Sequence, residues 1–191
     1  MDLATTAQSR RPRFRRVAEP PAFQITDGDL AIVRAIAHHR FLRSTQIARI
    51  VGRSLDRTNR RLLFLFHAGY IDRPRAQLDR FPVDGSSHMV YALADAGARL
   101  LKVYDGQTFP RGERSSNNRS ALRPFIEHQL AITEFHVTLQ EAARDAGGIQ
   151  TIAFDEIVAA FPIAAKARRN PLKISTSILL DGHRRDIAVI P

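Results

Sequence analysis

Arginine is concentrated in one short stretch of this 191-residue chain. Between Arg40 and Arg61 there are seven arginines and a single acidic residue, Asp56. A guanidinium group can bind guanine O6 and N7, or two phosphate oxygens, with two parallel hydrogen bonds. The stretch therefore indicates a polyanionic partner, with nucleic acid favoured over an acidic membrane surface.

Most of the net positive charge of the chain lies in this arginine-rich stretch and in the N-terminal residues. The formal charge is +10 at pH 7, of which residues 40–61 supply +6 and residues 1–20 supply +3, leaving +1 for all other residues. Residues 1–23 are predicted to form a flexible basic arm, either solvated or lying along a phosphate backbone. The C-terminal half has little excess charge to bring to a nucleic acid.

Side chains suited to catalysis are scarce. The absence of cysteine excludes disulfides, cysteine-based zinc sites and thiol catalysis, and it fits a reducing cytoplasm. A restriction-type nuclease site needs an acid followed two residues later by lysine, and no such pair occurs. No glycine loop for phosphate is present, and the longest apolar stretch, 157–165, is too short to cross a bilayer. We expect a cytoplasmic protein that is not an enzyme, with no metal, no cofactor and no membrane span.

The arginine-rich stretch must be positioned by helices. Thr26 can cap a first helix that ends near Arg40, Ser44 can cap a second helix that stops at Gly52, and Ser54 can cap a third that stops at Gly69. Residues 41–43 are interpreted as a short link. Three short helices with a tight turn before the third are typical of a helix-turn-helix.

Two predicted strands follow the third helix. Residues 70–73 and 88–93 have strand patterns, and the loop 74–87 between them is rich in turn residues. Two strands around a loop after three helices predict a wing, and residues 94–104 predict a fourth helix. The domain expected over residues 24–105 is a winged helix-turn-helix.

The third helix places its arginines on one side. Leu55, Thr58, Leu62 and Phe66 form an apolar stripe, which puts the polar side chains opposite or on the flank. A solvated charged face is the alternative, but such faces usually mix both signs of charge. The predicted DNA-binding residues are Arg43, Arg53, Ser54, Arg57, Asn59, Arg60 and Arg61, together with Arg73 and Arg75 from the wing.

The C-terminal part is predicted to be a separate, small α/β domain over residues 124–191, after a linker at 106–123. Apolar side chains repeat every seven residues along a long helix, 124–146, in a first stripe at 125, 132, 139 and 146 and a second at 128, 135 and 142. This face either covers the C-terminal sheet or pairs with its copy in a homodimer. Strands at 174–180 and 185–190 form a hairpin turning at 181–182.

Several of these segments resemble the replication-relaxation family of DNA-binding proteins of plasmids and integrative elements. The resemblance extends over residues 24–160 and rests on Ile25-Thr26-Asp27, Arg60-Arg61-Leu62, Gly69-Tyr70-Ile71, Tyr91-Ala92-Leu93 with Gly97, and His128-Gln129-Leu130-Ala131 with Glu134-Phe135-His136. In that family a Pro-Asp pair begins a further strand where this chain ends at Ile190-Pro191. That departure predicts an incomplete second domain.

The expected fold class is α+β, an N-terminal winged helix-turn-helix followed by a small α/β domain. The expected function is binding of double-stranded DNA, as a homodimer or a monomer, in plasmid or mobile-element replication, mobilisation or transcription regulation. The alternative is a nuclease-like or protein-interaction module for which the winged helix serves as a docking domain.

Overall fold

The computed structural model describes residues 13–20, 22–77, 88–107, 114–149, 152, 157 and 159–163, and the backbone of two strands at 174–180 and 183–189. The chain divides into two compact units, Met1–Leu139 and Gln140–Pro191. The helices and strands are α1 (Asp27–His39), β1 (Phe41–Arg43), α2 (Ser44–Val51), α3 (Leu55–His67), β2 (Ile71–Asp72), β3 (Val90–Leu93), α4 (Asp95–Asp105), α5 (Arg114–Ser120), α6 (Arg123–Ala146), β4 (Ile174–Leu180) and β5 (His183–Val189). The first unit has an α+β architecture, as expected.

The capping signals placed the starts of α1 and α3 correctly and that of α2 to within one residue. Thr26 precedes α1, and its backbone N–H and hydroxyl both donate to Asp29 Oδ2 at 2.8 Å. Ser54 caps α3, accepting from the backbone N–H of Arg57 at 3.4 Å. Ser44 is the first residue of α2 rather than its cap, which is Arg43, so that assignment was wrong by one residue.

Residues 41–43 were expected to be a link, and this was wrong because they form β1. The strand is antiparallel to β3, with Phe41 opposite Ala92 and Arg43 opposite Val90. On its other edge β3 pairs with β2, which gives the order β1-β3-β2. Three residues are too few to display an alternating pattern, and the partner strand lies almost fifty residues further along the chain.

Both faces of this sheet are covered. One face carries Leu42 and Tyr91 into the main core, which also holds Ile32, Ile36, Leu62 and Leu65. The other face carries Phe41, Val90 and Ala92, which pack with Ile126 and Leu130 of α6. All four residues of β3 are therefore buried, and α6 is required to complete the first unit.

The predicted linker contains ordered structure that the sequence did not indicate. Residues 114–120 form α5, and the buried Asn118 donates to Asp72 Oδ2 at 3.1 Å and to the Leu93 carbonyl at 2.8 Å. Part of the predicted flexible arm is also held in place, because the backbone N–H of Val17 donates to His67 Nδ1 at 3.2 Å. The domain boundaries drawn from the sequence stay a prediction.

The long helix is confirmed over Arg123–Ala146, and its heptad stripes do not enter the core of the first unit. Ile126, Leu130, Thr133 and Val137 are buried, whereas residues of the heptad stripes are exposed: Phe125 by 43%, Ile132 by 41%, Phe135 by 67% and Leu139 by 48%. In the second unit, β4 and β5 form the expected antiparallel hairpin, and its turn at 181–182 lies outside the described residues.

Candidate nucleic-acid interface

The first turn of α3 and the turn before it form a concave, cationic surface. Gly52, Arg53, Ser54 and Arg57 line a cavity of about 540 Å³. Gly52 ends α2 in the left-handed conformation, with φ at 63°, so the chain reverses within a few residues and brings Arg53 beside the start of α3. Unpaired backbone N–H groups at a helix N-terminus attract anions, and the two guanidinium groups add to this field.

The predicted polar face of α3 is exposed. The exposed residues on and just before α3 include Arg53, Ser54, Arg57, Asn59 and Arg60. The buried side of the helix carries Thr58, Leu62 and Leu65. Arg60 forms an ion pair with Asp56 one turn earlier, and both side chains are more than 70% exposed. Exposed pairs of this kind contribute about 0.2–1 kcal/mol, so a phosphate group can compete with Asp56 for Arg60.

Arg53 is positioned by a glycine on another helix. Its guanidinium group packs directly against Gly28 in the first turn of α1, where a Cβ atom would lie 2.1 Å from Arg53 Nη1. The side chain is nevertheless exposed, and no ion pair with a described residue holds it. Gly28 therefore allows Arg53 to lie flat against α1, beside the cavity at the start of α3.

Arg61 occupies a different environment from its neighbours on α3. Its Nε donates to Asp29 Oδ1 at 2.7 Å and its Nη2 to Asp29 Oδ2, while Asp29 is completely buried. Burial disfavours ionisation of Asp29, but the hydrogen bonds from Arg61 and Thr26 outweigh it and hold the pKa of that carboxyl below 3.8. The Arg61 guanidinium also lies over the rings of Phe23 and Phe64. Arg61 thus neutralises a buried carboxylate of the core.

The two residues predicted from the wing differ from each other. Arg73 is largely covered, with its guanidinium 4.1 Å from the centre of the Phe66 ring and its Nη2 donating to Tyr91 Oη at 3.3 Å. This burial lowers the pKa of Arg73 and raises that of Tyr91. Arg75 is exposed in a short 3-10 turn, Arg75–Gln77. Residues 78–87 of the predicted wing loop lie outside the described residues.

Arg43 is the remaining predicted residue, and it is exposed at the end of β1. Its backbone N–H donates to Gln46 Oε1 at 2.9 Å, which fixes the start of α2 and leaves the guanidinium at the surface. The structure therefore brings Arg53, Ser54 and Arg57 together in one cavity, adds Asn59 and Arg60 on the same helix, and engages Arg61 and Arg73 in internal contacts. Among the described residues, no helix is both long and apolar enough to span a membrane.

Comparison with known proteins assigns the chain to a family. The family model described as replication-relaxation matches residues 33–160, a segment that contains β1, α2, α3 and the whole sheet of the first unit. No curated protein matches the chain significantly. The match spans 128 of the 191 residues and begins inside α1. The chain belongs to the replication-relaxation family.

Proposed function

We propose that this chain binds double-stranded DNA through the exposed face of α3, in the replication of a plasmid or mobile element. The observation that carries the proposal is the group Arg53, Ser54, Arg57, Asn59 and Arg60, exposed together around the N-terminus of one helix. An α-helix fits the major groove of B-DNA, and the N-terminal residues of a recognition helix reach the base edges. Membership of the family supports the link with replication.

The architecture of the first unit supports a winged helix as the docking fold. Three helices are followed by β2 and β3, and β1 lies on the far edge of β3 from β2. In this proposal α2 supports α3 across the turn at Gly52, and the loop between β2 and β3 acts as the wing. Arg75 and Arg43 would add contacts to the phosphate backbone on either side of the groove.

The proposed role is binding without catalysis. The sequence inventory supports this, because no acid is followed two residues later by lysine. The nuclease-like alternative predicts cleavage of DNA by the purified chain when Mg²⁺ is added. Cleavage that persists in highly purified protein would contradict our proposal, whereas binding that weakens with salt agrees with it.

Alanine substitution of Arg57 and Arg60 tests the interface. Each substitution should weaken binding to a selected duplex by about 1–3 kcal/mol where the side chain contacts a base, and should lower the slope of log affinity against log salt by about 1 where it contacts only phosphate. Fluorescence anisotropy at several salt concentrations measures both quantities. The matched control is Arg99→Ala, which removes an exposed arginine from α4.

Duplexes for this measurement come from selection of random DNA by the wild-type chain at about 150 mM salt, where specific binding is separated from non-specific binding. If Arg57→Ala and Arg60→Ala both bind as tightly as Arg99→Ala and the wild type, α3 is not the recognition helix.

The proposal includes a homodimer, because many DNA sites are symmetric and a twofold protein matches them. Phe125, Ile132, Phe135 and Leu139 support it, since they repeat at coiled-coil spacing on α6 and are 41–67% exposed. Light scattering at micromolar concentration gives the mass directly. A monomeric mass would remove the dimer from the proposal without affecting the role of α3.

A further inference from the structure

A second cationic cavity lies away from the exposed face of α3. It has a volume of about 470 Å³ and lies among residues 14–16, the end of β2, the 3-10 turn at 75–77 and α5. Two phenylalanines and a proline contribute apolar surface. Five of its lining residues are arginines, Arg15, Arg16, Arg73, Arg75 and Arg119, and one is acidic, Asp72.

The single acid of this cavity is already engaged on both oxygens. Arg16 Nη2 donates to Asp72 Oδ1 at 2.5 Å, and Asn118 Nδ2 donates to Asp72 Oδ2 at 3.1 Å. Arg16 also donates to the carbonyl oxygens of Phe66 at 2.8 Å and Ile71 at 3.1 Å. These hydrogen bonds join Arg16, residues 66–72 and Asn118 at the base of the cavity. Because both oxygens of Asp72 are engaged, this carboxylate does not neutralise the other arginines.

The other arginines of the cavity have no described counter-charge. Arg15, Arg75 and Arg119 are exposed, and no described residue forms an ion pair or hydrogen bond with their side chains. Arg73 lies against Phe66, and its Nε is buried without a hydrogen-bond partner among the described residues. Like charges gathered around one concave surface repel one another, and a bound anion relieves that repulsion.

From this arrangement we infer that the cavity binds the phosphate group of a nucleotide. Guanidinium groups from three segments can approach a tetrahedral phosphate from different directions, each with two N–H donors. The volume lies within the range of small-molecule sites and exceeds what a single inorganic ion fills, while Phe14 gives one wall an apolar surface.

The phosphate can come from two sources. One is a free mononucleotide that occupies the cavity. The other is a nucleotide of a bound DNA strand whose phosphate enters the cavity, and this second source rests on the proposed function. Arg75 lies at the start of the predicted wing loop, so a DNA strand bound along the wing would lie close to the cavity.

The double variant Arg15→Ala/Arg119→Ala removes two of the unpaired arginines of the cavity and leaves Arg75, a proposed DNA contact, in place. Both residues are exposed, so the variant should keep the thermal unfolding midpoint of the wild type. Arg99→Ala/Arg144→Ala is the matched control, since it removes the same charge from exposed positions on α4 and α6. Titration calorimetry with inorganic phosphate and with a deoxynucleoside monophosphate measures binding without DNA, and anisotropy with the selected duplex measures binding with it.

If a free nucleotide is the ligand, the wild type and the control bind the monophosphate and the cavity variant binds it at least tenfold more weakly. If DNA supplies the phosphate, the monophosphate does not bind, and the cavity variant loses at least tenfold in duplex affinity relative to the control. The inference is overturned when the cavity variant equals the control in both assays. If the proposed function is wrong, the wild type binds no duplex. The calorimetric comparison of the cavity variant with the control then tests the cavity by itself.

Discussion

Neighbouring arginines on α3 have different environments. Arg57 and Arg60 are exposed on α3, whereas Arg61, the next residue, is held by a carboxylate from α1. Helical periodicity predicted the exposed positions, because the apolar stripe of α3 fixes its orientation. It could not identify Arg61 as internal, since its partner Asp29 is 32 residues away in the sequence.

Removing the partner of Asp29 should destabilise the fold. The substitution Arg61→Ala leaves a fully buried carboxylate without its cation, and the loss of one member of a buried pair costs about 3–5 kcal/mol. The loss in free energy of unfolding is reduced because Arg61 is 27% exposed, so water can enter the space it leaves and solvate Asp29. Chemical denaturation of Arg61→Ala beside Arg57→Ala measures the difference. Equal free energies of unfolding would mean that the pair does not stabilise the folded state.

The helix bounds could be predicted from single capping residues, whereas β1 and the buried face of α6 could not. Thr26 and Ser54 gave the starts of α1 and α3, and the glycines at 52 and 69 gave the ends of α2 and α3 closely, because caps and left-handed turns act through neighbouring residues. The strand β1 and the buried face of α6 depend on residues far apart in sequence. Phe41 packs with Ile126 and Leu130, and this contact accounts for the buried position of Ile126 on α6.

Close approach of α4 to the loop before β2 requires Gly97. A Cβ at this position would lie 2.2 Å from the backbone oxygen of Tyr70, which also accepts the N–H of Ala94. Gly97→Ala should therefore push α4 from the loop and lower the free energy of unfolding by about 1–3 kcal/mol, the usual cost of overpacking. The comparison is Arg99→Ala on the exposed side of the same helix, which should change stability by less than about 0.5 kcal/mol. If Gly97→Ala leaves the free energy of unfolding unchanged, α4 and the loop before β2 can move apart without loss of stability.

The end of α1 and the middle of α6 meet through histidines. The rings of His39 and His136 are 6.4 Å apart, and His38 lies 4.7 Å from His39. Burial, followed by the neighbouring His38 and His136, lowers the pKa of His39 to about 4. His39 is therefore neutral in the folded chain at pH values where the unfolded chain already binds a proton.

Stability should consequently fall with acidity in a defined window. Because the folded pKa of His39 is depressed, its contribution is complete above the unfolded value of about 6.5 and is lost as the pH falls toward about 4. Urea denaturation between pH 7 and pH 5 should show this loss in the wild type and a smaller loss in His39→Gln. The Asp29 carboxyl titrates below this window, so it does not confuse the comparison. An identical pH dependence in both proteins would contradict the assignment.

At the scale of the molecule, local sequence patterns located most of the elements of the first unit but not the way they are held together. Residues 114–120 had the polar composition of a linker, and the buried Asn118 became evident only through its bonds to Asp72 and Leu93. The gathering of five arginines around one cavity could not be predicted from the sequence either, because they come from three separate segments of the chain. The exposed polar face of α3, by contrast, is local in sequence, so helical periodicity predicted the exposure of Arg57, Asn59 and Arg60.

Because both faces of the β1-β3-β2 sheet are covered, a stable fragment of this chain must include part of α6. A fragment ending at Asp105 retains α1 to α4 and all three strands, yet it lacks Ile126 and Leu130 and exposes Phe41, Val90 and Ala92 to water. Bare apolar surface of this kind promotes aggregation. We expect a fragment of residues 13–105 to aggregate or bind a hydrophobic dye, and one of residues 13–139 to remain dispersed. The shortest fragment that keeps this sheet covered would then include the first four turns of α6.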